Sequence, residues 1–238
     1  MTITSPTNQH ITEIRKLSRA SARRESGRFV AEGEDLQEAA LAARVSPLYV
    51  LCARGHESAG EAGWLEVEPA LLAKISALGS SSRVIGVYEQ RWSTPAGPLA
   101  LALWGVRDPG NVGTVVRAAQ AFGASTVALG GGCADPYGPK AVRASMGAIF
   151  GAKIAGFSAI AELPGRLVAL VPRDGRPLEG RFDGTATLLL GGERHGLPEE
   201  LLAQCHEVRH IPQVDGDSLN VAMAATVALY EATRMAAA

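Results

Sequence analysis

The fold is decided by residues 99–129, whose sequence is LALALWGVRDPGNVGTVVRAAQAFGASTVAL. Residues 99–106 are apolar nearly throughout, as expected for a strand that is buried on both faces of a parallel sheet. A proline-glycine turn follows, and residues 113–122 then carry apolar side chains at helical spacing. A second apolar strand is predicted at 126–129. Strands that alternate with helices in this way predict an α/β domain built on a parallel sheet.

The same alternation continues along the chain. Further strands are predicted at 167–171 and 187–190, and further helices at 198–204 and 219–235. Residues 93–98, STPAGP, combine two prolines and a glycine with small polar residues, which is typical of a linker. We therefore predict a first, mixed α/β domain over 1–92 and a second domain over 99–238.

Composition limits the class of protein. The chain has 238 residues, of which 47% are hydrophobic and 20% charged, and its net charge is −1. These values are ordinary for a globular protein and argue against nucleic-acid binding through bulk positive charge. No apolar run is long enough to span a membrane.

The cysteines lack a CxxC pair, so we expect a reducing, cytoplasmic location. Cys205, His206 and His210 lack a second ligand pair nearby, so we expect no metal site.

Basic residues are concentrated before Val30. They are Arg15, Lys16, Arg19, Arg23, Arg24 and Arg28. Only Glu13 and Glu25 oppose them between residues 11 and 30. Two interpretations stay open at this point: a solvated helix face, or a local stripe that contacts nucleic-acid phosphates.

Three loops carry candidate functional residues, because ligands of parallel sheets bind beyond the carboxyl ends of the strands. After the first strand, Asn111 is well placed to cap a helix on which Arg117 faces away from the apolar stripe. An ordinary surface arginine is the alternative for Arg117. After the strand at 187–190, two glycines allow a ligand to approach the backbone, and Glu193 follows at once.

The third loop precedes the last helix. Asp217 or Ser218 can cap that helix, and Asn220 is expected in its first turn. The alanines that follow give this helix a face that can pack closely against another backbone, and such packing is enough to explain them. Taken singly, none of the three loops is specific for one function.

Taken together, the three loops resemble the motifs of the SpoU branch of the SPOUT methyltransferases, which methylate RNA ribose 2′-hydroxyls. The similar stretches are N-x-G-x-x-x-R-x-A-x-x-F-G at 111–123, G-x-E-x-x-G-L at 191–197 and I-P…S-L-N-V…A…Y-E at 211–231. Residues 135–150 also look like this family. The basic helix followed by FVAEG at 29–33 is similar to the ribosomal-protein-like RNA-binding domain that often precedes the methyltransferase domain.

This resemblance implies a parallel-sheet domain with a deep trefoil knot, S-adenosylmethionine (AdoMet) as cofactor, RNA as substrate and a homodimer formed through the knotted domains. The implied catalytic residues are Arg117, Asn111, Glu193, Ser218 and Asn220. The implied AdoMet-binding residues are Leu190, Gly191, Gly192, Ile211, Gln213 and Leu219. Arg143 joins the basic residues before Val30 as an expected RNA contact. Arg117 would assist deprotonation of the ribose hydroxyl or hold the phosphate of the nucleotide.

Two other functions share parts of this pattern. A non-catalytic RNA-binding relative would keep the fold and lose methyl transfer, but it would not need all five implied catalytic residues. A dinucleotide-dependent oxidoreductase predicts G-x-G-x-x-G after the first strand of the domain. The sequence there is Pro-Gly-Asn-Val-Gly instead, which argues against that class.

Overall fold

The structure is a computed structural model that describes residues 2–77, 79, 82–215 and 218–234. The α-helices are α1 Gln9–Leu17, α2 Ala20–Ser26, α3 Glu34–Ala42, α4 Pro69–Ile75, α5 Pro109–Ala121, α6 Pro139–Ala144, α7 Glu199–Leu202 and α8 Val221–Thr233. The strands are β1 Arg28–Glu32, β2 Tyr49–Ala53, β3 Trp64–Val67, β4 Val84–Glu89, β5 Trp92–Ser93, β6 Leu99–Trp104, β7 Thr126–Leu129, β8 Ile154–Gly156, β9 Arg166–Leu170, β10 Arg176–Pro177, β11 Ala186–Gly191 and β12 Glu207–His210.

The chain divides into two compact units. The first contains Met1–Gln90 together with Asp135–Phe150, and the second contains Arg91–Ala134 together with Gly151–Ala238. The predicted linker at 93–98 therefore lies close to the point where the second unit begins. Residues 135–150 fall within the predicted second domain, but they pack with the first unit.

The first unit has a four-stranded sheet in the order β1-β4-β2-β3. Helix α1 begins after Asn8, whose side chain accepts a hydrogen bond from the backbone N–H of His10. Ile11, Ile14 and Leu17 recur every three residues, so they share one face of α1, and that face is buried in the core of the unit. The predicted mixed α/β character of this region is confirmed.

Residues 135–150 complete an aromatic cluster in the first unit. Phe29 on β1 lies against Tyr137, with ring centroids 4.9 Å apart, and Tyr88 on β4 lies against Phe150 at 4.8 Å. All four side chains are buried. Buried aromatic side chains contribute much of the core energy of a small domain, so this segment is part of the first unit's core.

The second unit has an eight-stranded sheet in the order β10-β12-β9-β11-β6-β7-β8-β5, and its strand pairs are parallel. The predicted parallel α/β architecture is confirmed. The loops after β6 and β11 lie at the same edge because these strands are parallel neighbours. Strand order alone does not test the trefoil knot, which stays a prediction. Among the described residues, no helix is both long and apolar enough to cross a membrane.

Candidate active site

The loop after β6 begins helix α5 earlier than predicted. Asp108 is the N-cap, and its Oδ1 accepts a hydrogen bond of 2.9 Å from the backbone N–H of Asn111. Pro109 occupies the first helical position, where a missing N–H has no cost. The prediction that Asn111 caps this helix is therefore wrong. Because Asp108 performs that function, the side chain of Asn111 is free to make other contacts.

The side chain of Asn111 joins the three motifs. Its Nδ2 donates a hydrogen bond to Oε1 of Glu193, and its Oδ1 accepts one of 3.1 Å from Nδ2 of Asn220. Three of the five predicted catalytic residues, separated by up to 109 positions in sequence, are thus bonded to one another. The structure brings these side chains together as the motifs predicted.

Asn220 also caps helix α8. Its Oδ1 accepts hydrogen bonds from the backbone N–H groups of Ala222, at 2.9 Å, and Met223. The cap is therefore Asn220 rather than Ser218, and Asp217 lies outside the described residues. The N-terminus of a helix carries partial positive charge. A continuous chain of hydrogen bonds consequently runs from this positive end, through the two asparagines, to the carboxylate of Glu193.

The turn after β11 depends on its glycines. A Cβ atom at Gly191 would overlap the backbone of Gly196, and one at Gly192 would overlap the carbonyl of Gly105. The turn is closed by a hydrogen bond of 2.9 Å from the Gly196 N–H to the Gly192 carbonyl. Any side chain at Gly191 or Gly192 would displace backbone, so the sequence Gly-Gly-Glu-Arg-His-Gly fits this turn.

Two cavities meet at this turn, because residues 192–196 line both of them. The smaller cavity has a volume of about 340 Å³, and the larger about 1210 Å³. Asn111 and Asn220 line the larger cavity, whereas Ser218 lines the smaller one. The turn, including Glu193, is thus a wall that the two cavities share.

The residues of the smaller cavity fit AdoMet. Its lining includes all six residues predicted to bind the cofactor, namely Leu190, Gly191, Gly192, Ile211, Gln213 and Leu219. Leucine and isoleucine side chains offer an apolar slot for an adenine ring, and glycines expose backbone polar groups. Ligand cavities of about 300–1,000 Å³ are usual for molecules of this size, so the volume is at the small end of the suitable range.

Arg117 is not brought to these cavities. It lies exposed on α5, lines neither cavity, and makes no hydrogen bond or ion pair with the part of the chain that the structure describes. The prediction that it projects from a rigid helix, away from the packing face, is confirmed. Its predicted catalytic role stays a prediction.

The predicted RNA contacts separate into two groups. Arg15, Lys16, Arg19 and Arg24 are exposed. Arg23 is buried: it forms an ion pair of 2.7 Å with Asp135 and donates to the carbonyls of Leu17 and Ser18. Its surroundings indicate a structural role rather than the predicted contact with RNA.

Arg28 and Arg143 are also held in ion pairs within the first unit. Arg28 lies 2.6 Å from Glu13, and the hydrogen bond to this carboxylate raises the pKa of the guanidinium. Arg143 lies 2.8 Å from Asp35, with the same effect on its pKa. A carboxylate partly offsets the charge of each of these two arginines, so the exposed group is the better candidate for RNA binding.

Local hydrogen bonds hold Cys205, His206 and Cys133, which lie outside the motifs. Cys205 donates to the carbonyl of Leu201, and Nδ1 of His206 accepts from the N–H of Leu167 at 3.0 Å. Cys133 lies near the larger cavity and donates to the carbonyl of Leu103. Burial raises the pKa of the Cys133 thiol, so it stays protonated and is a poor nucleophile.

The larger cavity has lining residues that the motifs did not place in the site. They include Trp104, Arg107 and His195. The available signal was position: Trp104 and Arg107 flank the end of β6, and His195 lies between the motif glycines. Neither side-chain periodicity nor composition indicated them.

Two family models match the chain in consecutive segments. Residues 98–230 match the SpoU rRNA methylase family, and residues 8–86 match the MRM3-like substrate binding domain. The chain belongs to the SpoU rRNA methylase family. It is an AdoMet-dependent RNA 2′-O-ribose methyltransferase, as the three motifs predicted.

Two relatives of this SpoU family member are similar over almost their whole length. A Synechocystis protein named as an uncharacterized tRNA/rRNA methyltransferase is 30% identical, with 98% of this chain and 93% of that protein covered. The Bacillus subtilis 23S rRNA guanosine 2′-O-methyltransferase RlmP is 28% identical over 96% of this chain and 97% of its own.

A solved structure of a relative is similar over both units. The AdoMet-bound rRNA methyltransferase of Sinorhizobium meliloti has a TM-score of 0.84 and 32% identity, covering 98% of this chain and 97% of that one. Because the crystal of that relative holds AdoMet, the cofactor prediction for this chain is confirmed at the level of the family.

Proposed function

We propose that this methyltransferase acts on ribosomal RNA, with AdoMet in the smaller cavity and the target nucleotide in the larger one. The observation that carries the proposal is the shared wall at 192–196, on which Glu193 is bonded to Asn111. Relatives named as 23S rRNA or rRNA methyltransferases support the choice of RNA. The cytoplasmic location expected from the cysteine pattern stays a prediction.

Bound AdoMet supplies an already activated methyl group, so the protein's main task is to orient the acceptor. Holding two reactants in attack geometry can supply several orders of magnitude of rate. The Glu193 carboxylate, fixed by Asn111 and Asn220, can accept a hydrogen bond from the ribose 2′-hydroxyl at the boundary between the cavities. The 2′-hydroxyl oxygen would then bond to the methyl carbon as the carbon–sulfur bond breaks to leave S-adenosylhomocysteine, and the hydroxyl proton would pass to the Glu193 carboxylate.

We further propose that the chain forms a homodimer through the outer face of α8. Met223, Val227 and Tyr230 follow one another at helical spacing and are 63%, 41% and 56% exposed. The alanine-rich side of the same helix, including Ala225 and Ala228, is fully buried within the chain. The apolar stripe available to a second copy is therefore Met223–Val227–Tyr230. Isologous contacts of this kind are the commonest route to symmetric dimers.

In such a dimer Arg117 of each subunit would serve the cavity of the other. Helices α5 and α8 pack together, so the exposed side of α5 lies beside the proposed dimer face. This arrangement explains why Arg117 is exposed, lacks a described partner, and lines neither cavity of its own chain. The guanidinium would hold the nucleotide's phosphate or assist loss of the hydroxyl proton.

The substrate is tested with methyl-labelled AdoMet and RNA that lacks its natural methylation. We expect label in the large-subunit ribosomal RNA, at a 2′-O-methyl group located by ribose-methylation mapping. Label only in transfer RNA would overturn the choice of RNA. AdoMet binding by calorimetry without transfer to any RNA would favour the non-catalytic alternative.

Whether Arg117 serves the cavity of the other subunit is tested by mixing two inactive variants, Arg117→Ala and Glu193→Ala, under conditions that exchange subunits. If Arg117 acts across the dimer, each mixed dimer has one complete site, and about a quarter of wild-type activity returns. If it acts within its own subunit, both sites of the mixed dimer are defective. Activity that stays at the level of the separate variants would therefore contradict the proposal.

A further inference from the structure

We infer that Trp104 is the surface on which the base of the target nucleotide stacks during methyl transfer. The inference rests on the proposed function, since it assigns the larger cavity to the nucleotide. Of the described residues that line the two cavities, Trp104 is the only Trp, Tyr or Phe.

The ring of Trp104 lies on glycine backbone. A Cβ atom at Gly131 would come within 3.1 Å of the indole, and one at Gly130 would overlap it. Phe157 packs near the ring, with centroids 5.7 Å apart. Gly130 and Gly131 therefore provide the space that the indole occupies.

The glycine loop is fixed against β6. The N–H of Gly105 donates to the carbonyl of Gly131 at 2.9 Å, and the N–H of Gly130 donates to the carbonyl of Leu103 at 2.8 Å. These bonds flank Trp104 on both sides along the chain. The backbone on both sides of Trp104 is thus fixed, and part of its side chain lines the larger cavity.

The position of Trp104 also suits the reaction. It is paired in register with Gly191 on the adjacent strand β11, and neighbouring strands lie about 4.8 Å apart. Gly191 lines the AdoMet cavity. A base stacked on Trp104 would therefore keep its own ribose close to the boundary where the methyl group is delivered.

The chemistry of RNA recognition favours stacking here. A base that is splayed out of a single-stranded RNA segment loses its stacking neighbours, and proteins commonly replace them with an aromatic ring. Every base has a flat π-face, so such a surface holds the nucleotide without selecting its identity. Arg107 and Arg194, which line the same cavity, carry donors that can contact the phosphates or the base edge.

The test compares Trp104→Leu and Trp104→Phe with the wild type and with Trp92→Leu, a change at a tryptophan that lines neither cavity. We expect Trp104→Leu to lower kcat/KM for RNA roughly 5- to 150-fold, Trp104→Phe to retain most of it, and Trp92→Leu to match the wild type. AdoMet affinity, measured by calorimetry, should be unchanged in all three. RNA kinetics of Trp104→Leu within twofold of wild type would overturn the inference, as would a loss confined to AdoMet affinity.

A second measurement does not depend on turnover. Guanosine and uridine 5′-monophosphates are titrated into wild-type protein and Trp104→Phe, each saturated with S-adenosylhomocysteine, and tryptophan fluorescence is followed. Quenching that is present in the wild type and absent in Trp104→Phe supports stacking; equal quenching in both refutes it. Quenching by Trp104 in a protein that methylates no RNA would refute the proposed function while leaving the stacking site intact.

Discussion

Asn220 donates a hydrogen bond of 3.1 Å to the side-chain oxygen of Asn111, although the two residues are 109 positions apart. This bond links the helix that begins after β6 to the last helix of the chain. It also leaves the amide nitrogen of Asn111 free to hold Glu193. The orientation of the Glu193 carboxylate is therefore set by residues from both ends of the second unit.

The variant Asn220→Asp separates capping from catalysis. Aspartate caps helices as well as asparagine does, so the urea midpoint should stay near that of the wild type. It lacks the N–H that bonds Asn111 and adds a second carboxylate near Glu193, so methyl transfer should fall at least tenfold. Asn220→Ala is the matched control, which should also lose about 1 kcal/mol of unfolding free energy. Wild-type turnover in Asn220→Asp would contradict this account.

Arg23 and Arg19 should give opposite results although both belong to the basic stretch before Val30. Arg23→Met leaves Asp135 without its buried partner, and breaking such a pair costs about 3–5 kcal/mol. Arg19→Ala should leave the unfolding free energy unchanged and weaken RNA binding. Urea titration and filter binding at several salt concentrations measure the two effects. A stable Arg23→Met protein with weakened RNA binding would restore Arg23 as an RNA contact.

Gly191→Ala should abolish AdoMet binding as measured by calorimetry. The added methyl group would overlap the backbone of Gly196. The turn at 192–196, which lines the cofactor cavity, would therefore have to move. Gly156→Ala is the control, because a Cβ there meets no atom within 4 Å and the backbone is not left-handed. Normal AdoMet affinity in Gly191→Ala would show that this turn does not shape the cofactor cavity.

The ion pairs of Glu207 should make part of the stability pH-dependent. Arg209, with a hydrogen bond of 2.7 Å, and Arg166, at 3.0 Å, lower the pKa of this carboxyl. Its contribution is present above the unfolded pKa of about 4.3 and is lost as the pH falls through the lower folded value. Glu207→Gln should therefore be less stable than the wild type at pH 7, and the difference should shrink in acid. A difference that is constant between pH 7 and pH 3 would exclude this cause.

Local patterns predicted four of the eight strands in the second unit's sheet. These strands, β6, β7, β9 and β11, are mostly apolar because both faces are covered, and that signal is contained within four to six residues. The short edge strands β5 and β10 were not predicted, since two exposed residues carry no periodicity. Helix α5 was predicted to begin too late, because Asp108 and Asn111 are equally good caps and only the folded backbone chooses between them.

Long-range contacts account for the remaining errors. Arg23 looks like its basic neighbours until Asp135, 112 residues later, takes it out of solvent. Likewise, nothing in residues 135–150 indicates that Tyr137 and Phe150 will pack against strands formed before residue 90. The motifs predicted which side chains meet at the site, but only the folded structure shows the hydrogen bonds among Asn111, Glu193 and Asn220.

The aromatic cluster in the first unit limits how the protein can be modularised. Because Phe29 and Tyr88 are covered by residues that follow the predicted linker, a substrate domain exchanged by fusion at residue 93 would inherit mismatched aromatic partners. An exchange of this unit between relatives would therefore have to carry residues 135–150 as well as residues 1–90. Two segments that are distant in the sequence, residues 1–90 and 135–150, thus form one structural unit, and the segment between them belongs to the other unit.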